Sequence, residues 1–291
     1  MPRSALLVAS LFATWVIWGS TYLAIKLALG TLPPFLLSGI RYVLAGLIML
    51  AFSRLRREAW PTWRETLNAA GGGGLALALG NGAVCVAEQY SPSGLVALVM
   101  AATPLLTVMI NAGLGVRAKG VEWLGVLLGI VGVALIQIES PLAGSTLGTA
   151  IMLGGALAWA VASVSLPRLR MPAALASCAV QMLGGGVISL ILGAAMHEQA
   201  HRPDATAVWA LTYLILAGSL LGYAAYLWLL RHTRSAVATS FFCVNPVVAL
   251  VLGAAWGQEA ISGVMMVGSV IVVVAVGLAL SANLRQQAAA S

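Results

Sequence analysis

Charged side chains interrupt this chain so seldom that apolar runs of about 20 residues, the length that crosses a bilayer as a helix, follow one another almost from end to end. Of 291 residues, 61% are hydrophobic and 8% charged, where an ordinary soluble domain carries roughly a quarter charged residues. With 15 Lys and Arg and 8 Asp and Glu, the chain cannot clothe a soluble core of this size. A water-soluble globule is excluded, and the expected fold is an all-α polytopic membrane protein. The 32 glycines suit that fold, because small residues let helices approach closely in lipid.

Runs of the required length, separated by Pro, Gly or charge, predict ten spans: 6–28, 33–52, 69–89, 93–115, 121–138, 145–166, 173–196, 207–230, 235–256 and 262–282. The start, Met1 to Ala13, resembles a signal peptide, but the apolar run continues to Leu29 without a small-residue cleavage site, so it is read as the first span. Twelve of the 15 basic residues, from Arg3 to Arg285, fall on one side of this layout, Arg202 alone falls on the other, and Lys26 and Arg41 lie within spans. Lys and Arg are retained on the cytoplasmic side. Both termini are therefore expected in the cytoplasm, with the chain in the inner cell membrane. The net charge of +7 reports topology and offers no basic face for nucleic acid. Cys85, Cys178 and Cys243 lie singly in apolar runs as small packing residues, so no disulfide, metal site or cofactor is expected.

Sliding the sequence by 142 residues aligns 79–115 with 221–257 without a gap. Leu79, Gly80, Ala83, Ser93, Pro104, Ala112 and Gly115 then coincide with Leu221, Gly222, Ala225, Ser235, Pro246, Ala254 and Gly257. With one-residue slips, Trp18 meets Trp159 and Gly125 meets Gly268. Five spans per half is an odd number, so the second half (142–291) enters the membrane from the side opposite to the first (1–141). Inverted repeats of this kind place a solute site near the midplane and alternate its access by rocking one set of helices against the other. Pro104 and Pro246 lack an N–H and free carbonyls at Met100 and Phe242. They are either hinges beside the site or plain packing kinks.

The chain resembles the drug/metabolite transporter superfamily, EamA type. The resemblance rests on Trp18-Gly19-Ser20 followed by Ala24-Ile25-Lys26, Gly39-Ile40-Arg41-Tyr42, the Pro104 and Pro246 spans, Gly125 with Gly132-Val133, and the repeat. It covers essentially the whole chain and implies a secondary transporter, most often an exporter of amino acids or other small metabolites. Within the superfamily, the chain is similar to the exporters of aromatic and other bulky amino acids.

Polar and aromatic residues on one helical stripe inside a span point into the bundle. Such stripes hold Trp18, Tyr22 and Lys26, then Asn81, Cys85, Glu88 and Gln89, then Trp159 with Ser163, then Ser219, Tyr223 and Tyr226, and finally Phe242 with Asn245. With Met100 they form the expected substrate-binding wall, suited to a bulky, partly apolar solute. Lys26 either joins that wall or snorkels to the interface. Arg41 lies roughly 12 Å into its span; it either captures a substrate carboxylate or bonds to freed carbonyls or Glu88. Glu88, the one carboxylate placed inside a span, sits near its outer end, which favours a facilitator or exchanger over a proton antiporter. Trp60, Trp63, Trp209 and Trp256 fit interfacial belts.

His197-Glu198-Gln199-Ala200-His201 spells H-E-x-x-H, which on a helix gathers two imidazoles for zinc. An intramembrane zinc protease is thus one alternative, although Asn245-Pro246 is followed by Val247, Val248 and Ala249 with no third ligand. A channel or lipid-moving protein is another. Gly71–Gly74 and Gly184–Gly186 follow no strand and carry no P-loop lysine, so close helix packing or a flexible hinge is expected there. Gly125, Gly129 and Gly132 are expected to meet Gly268 within the chain, leaving a monomer. The expectation is a non-enzymatic transporter working by alternating access through a central cavity.

Overall fold

The computed structural model describes residues 3–116, 118, 120–138, 146–199, 201–232, 241–257 and 262–289. Among them there are helices and no strands. Seven helices are long and apolar enough to cross a membrane, and three shorter apolar helices accompany them. The first four are α1 (Ser4–Ala28), α2 (Pro34–Leu55), α3 (Trp63–Glu88) and α4 (Ser93–Gly113). They are followed by α5 (Gly120–Ile138), α6 (Thr146–Ser165) and α7 (Ala174–Ala195). Then come α8 (Ala205–Tyr226, continuing to His232), α9 (Phe241–Trp256) and α10 (Gly263–Ala289). Residues 145 and 235–240 of the expected sixth and ninth spans lie outside the described residues.

Local chemistry sets the helix starts. Pro34, at the first turn of α2, has no amide to leave unpaired. Thr62 and Glu65 exchange hydrogen bonds in a capping box that opens α3. Asp204 accepts the Ala207 amide at 2.7 Å to open α8. Within three helices the winding loosens to π-helix, at Ala13–Ile17, Gly74–Asn81 and Leu214–Leu221. None of these was legible in the apolar pattern.

The ends of α2 and α7 are built alike. Arg57 and His197 take left-handed backbones with φ of 55° and 57°. The next amides fold back, Glu58 N–H to Ser53 O at 3.1 Å and Glu198 N–H to Gly193 O at 2.9 Å. These are two Schellman ends. Each then sends its carboxylate to the other helix. Glu58 accepts the amides of Leu175 and Ala176 at 3.3 and 2.8 Å, and Glu198 those of Phe35 and Leu36 at 3.0 and 2.8 Å. A carboxylate on open N-terminal amides is favoured both by the hydrogen bonds and by the helix dipole. Because each helix end meets the other's beginning, α2 and α7 run antiparallel.

Glycines set how closely these helices pack. A Cβ on Gly186 would lie 2.7 Å from the Val43 nitrogen and 3.1 Å from the Gly39 oxygen. One on Gly185 would lie 2.8 Å from the Gly73 oxygen. The two glycine runs therefore meet each other across α3 and α7, as close packing requires. Gly132 of α5 faces Gly268 of α10, whose oxygen would be 3.0 Å from an added Cβ. Further contacts join α1 to α8 and α9, α6 to α3 and α4, α2 to α8, α7 to α3, and α4 to α9.

The two prolines behave differently. At Pro104, α4 breaks into two helices across Ala101 and Ala102, and Thr103 Oγ1 donates to the freed Met100 carbonyl at 2.6 Å. At Pro246, α9 stays continuous.

Candidate functional site

A cavity of about 620 Å³, part of it open to solvent, lies where the two halves of the chain meet. The first half contributes Trp18, Thr21, Tyr22 and Ile25 from α1, Arg41 and Tyr42 from α2, Asn81 and Val84 from α3, and Met100 from α4. The second half contributes Trp159 from α6, Gly218 and Tyr223 from α8, and Phe241, Phe242 and Asn245 from α9. The sequence-derived residues Trp18, Tyr22, Arg41, Asn81, Met100, Trp159, Tyr223, Phe242 and Asn245 thus share one wall.

Trp18 organises the aromatic side. Its Nε1 donates to the Gly218 carbonyl at 2.8 Å, a group presented by the π-helical turn of α8. Its ring packs edge-on to Phe241 at 4.7 Å and Tyr223 at 5.7 Å, separations at which aromatic pairs attract. Gly222 lies under the indole, where any Cβ would collide with it. Across the cavity Trp159 sits on Gly80, whose added Cβ would lie 3.0 Å from Trp159 Cε3. Each tryptophan thus packs on a glycine of the other half, Trp18 on Gly222 and Trp159 on Gly80.

Arg41 is the charged member of the wall. It is 5% exposed; its Nε donates to Ser219 Oγ at 3.0 Å, and its Nη1 has no hydrogen-bond partner. Its guanidinium carbon also stands 4.8 Å from the Tyr42 ring centroid, within cation–π range. Gly218 leaves it room, since a Cβ there would lie 3.1 Å from Nη2. The bond expected to freed carbonyls or to Glu88 is replaced by the one to Ser219.

Other expected wall residues stand elsewhere. Lys26 reaches the carbonyls of Glu88 and Ser91, at 2.5 and 3.0 Å, so its cation closes the C-terminal end of α3. Glu88 is fully buried behind the wall. Cys85 is buried one turn from Asn81, 3.9 Å from its Oδ1. Ser163 is exposed, and its hydroxyl bonds back to the Trp159 carbonyl at 2.9 Å. Tyr226 supports the site from behind Trp18, 5.5 Å from its ring. Asn245 faces the cavity but is also a clasp. With its amide nitrogen turned to the carbonyls of Phe241, Thr14 and Trp15 at 3.2, 3.2 and 3.0 Å, it ties α9 to the π-helical turn of α1.

Thr21, Ile25, Tyr42, Val84, Gly218 and Phe241 were missed by the sequence reading. Tyr42 and Phe241 had a signal, each being an aromatic next to a chosen residue; the others look like ordinary span residues. The H-E-x-x-H segment lies past the end of α7, with His197 in the left-handed turn and Glu198 committed to the α2 amides. The two imidazoles share no helix face. Among the described residues no three His, Cys, Asp or Glu side chains gather as a metal site. Trp60, Trp63, Trp209 and Trp256 are 69–76% exposed, away from the cavity.

Comparison with known proteins gives the same picture. The chain is 38% identical to the uncharacterized inner membrane transporter YedA of Escherichia coli, over 94% of this chain and 90% of that protein. It is 29% identical to a probable amino-acid metabolite efflux pump of the same organism, over 88% and 89% of the two chains. A crystal structure of a protein 21% identical superposes with a TM-score of 0.66, covering 98% of this chain and 99% of that one. The profile of the EamA-like transporter family matches residues 5–138 and again 146–281. The chain therefore belongs to the EamA-like transporter family of membrane transporters.

Proposed function

We propose that this transporter exports small amphipathic metabolites, chiefly amino acids with aromatic or other bulky side chains, by alternating access through the central cavity. The observation that carries the proposal is the wall itself, in which aromatic rings from both halves surround one buried guanidinium. A bulky apolar body fits against the rings, and a carboxylate fits the arginine. The relative described as a probable amino-acid metabolite efflux pump supports the solute class.

The mechanism rests on ten spans in two inverted repeats, 1–141 and 142–291. Three observations support it. The family profile matches each half once. Adding five to each helix number turns the contacts α1–α8, α1–α9 and α2–α8 into α6–α3, α6–α4 and α7–α3, all of which occur. The carboxylates of Glu58 and Glu198 cap α7 and α2 reciprocally. Pro104, with its broken helix, and Pro246 are the points about which α4 and α9 flex. The basic clusters orient both termini to the cytoplasm of an inner-membrane protein. Arg54, Arg168 and Arg170 gather at one end of the bundle, where Arg170 pairs with Glu65 at 3.2 Å and Arg168 reaches Asn111. The protein works as a monomer.

The test is counterflow of radiolabelled amino acids in proteoliposomes. Phenylalanine or tryptophan should exchange saturably, and Arg41→Ala and Trp159→Ala should each abolish most of the signal. No counterflow for any amino acid would overturn the solute assignment.

A further inference from the structure

The donors and acceptors around the cavity are unequally occupied. Several carbonyls beside the cavity already face a donor of the protein. Gly218 O accepts from Trp18 Nε1, Met100 O from Thr103 Oγ1, and the Phe241, Thr14 and Trp15 oxygens face the Asn245 amide. The Trp18 carbonyl accepts from Thr21 Oγ1 at 2.6 Å. An ammonium group is held most strongly by a carboxylate, and among the described residues lining the cavity there is neither Asp nor Glu. Arg41 is in the opposite condition: a charged donor, 5% exposed, with Nη1 open. A buried cation with unused hydrogen-bonding capacity is costly until an anion meets it.

We infer that the solute is read as an organic monoanion. Its carboxylate binds Arg41, its aryl or bulky alkyl body lies between the Trp18 and Trp159 walls, and its amino group, where present, adds nothing to recognition. This deepens the reading of the cavity as the solute site and rests on it. An amino acid is then accepted through its carboxylate and side chain, and the corresponding acid lacking nitrogen is accepted at least as well. Placing an α-ammonium close to Arg41 brings two cations together against a wall lined by no carboxylate among the described residues, so removal of that ammonium relieves repulsion.

The test uses wild-type protein in proteoliposomes and three matched probes: phenylalanine, 3-phenylpropionate and phenethylamine. Each is measured as a competitor and as a radiolabelled counterflow substrate. The expected result is that 3-phenylpropionate equals or exceeds phenylalanine, while phenethylamine competes at least about tenfold more weakly, the scale of a lost charged hydrogen bond. Arg41→Lys, which keeps the charge, should retain part of the anion's affinity, and Arg41→Gln should lose at least about tenfold. Transport of phenylalanine with exclusion of 3-phenylpropionate would overturn this inference and leave the amino-acid proposal standing. Transport of 3-phenylpropionate with exclusion of phenylalanine would do the reverse. Failure of all three probes, or effective competition by phenethylamine, would also overturn it.

Discussion

At the scale of single residues, Trp18 and Trp159 are held by glycines of the opposite half, and that arrangement makes distinct predictions. Replacing Gly222 with Ala puts a methyl group into the Trp18 indole, an overpacking worth about 1–3 kcal/mol unless the ring leaves the wall. Gly222→Ala should therefore raise the KM for solute severalfold and lower Tm in a thermal-shift assay. Gly154→Ala is the control, since nothing lies within 4 Å of its added Cβ, and it should change neither. Lys26→Met should behave in the opposite sense. Loss of its bonds to the Glu88 and Ser91 carbonyls should cost about 1.5–3 kcal/mol of stability while leaving KM within about twofold, because the residue stands outside the cavity wall. The sequence distinguishes mid-span tryptophans from interfacial ones by depth alone. It could not distinguish a lysine that lines a cavity from one that closes a helix end, because both sit at the same position on the same stripe. Ser163 was misplaced for a related reason: a serine in a helix can satisfy its hydroxyl on its own backbone and face outward.

At the scale of elements, α2 and α7 depend on each other's carboxylate. Glu58→Gln and Glu198→Gln should each cost about 1–2 kcal/mol, the range of a lost charged cap. The two sites lie at opposite ends of helices of 22 residues, about 30 Å apart, so the double variant should show the sum. Thermal unfolding of the three variants in one detergent measures this; a cost from one site alone would contradict reciprocal capping. The apolar runs placed the helices well because a bilayer demands a minimum length of unbroken apolar residues. The caps were hidden because Arg57-Glu58 and His197-Glu198 share one residue type, lie outside the spans, and are related by a shift of 140 where the spans were aligned at 142. The same H-E pair suggested zinc when read as a motif, and its carboxylate is a helix cap when read in the fold. The π-helical turns were equally invisible, since their residues satisfy the same hydropathy as an α-helix.

At the scale of the whole molecule, alternating access requires that one cavity wall be reached from each side in turn. A cysteine at Val84, a lining residue of conservative size, reports on this directly once Cys85, Cys178 and Cys243 are replaced by serine or alanine. Membrane-impermeant maleimide applied separately to the two faces of oriented vesicles should label Val84→Cys from both. A saturating transported solute should slow the labelling from each face, with no electrical conductance in planar bilayers. Labelling from one face only, or from both faces with unchanged rates in solute and a measurable conductance, would contradict an alternating-access transporter with its site in this cavity.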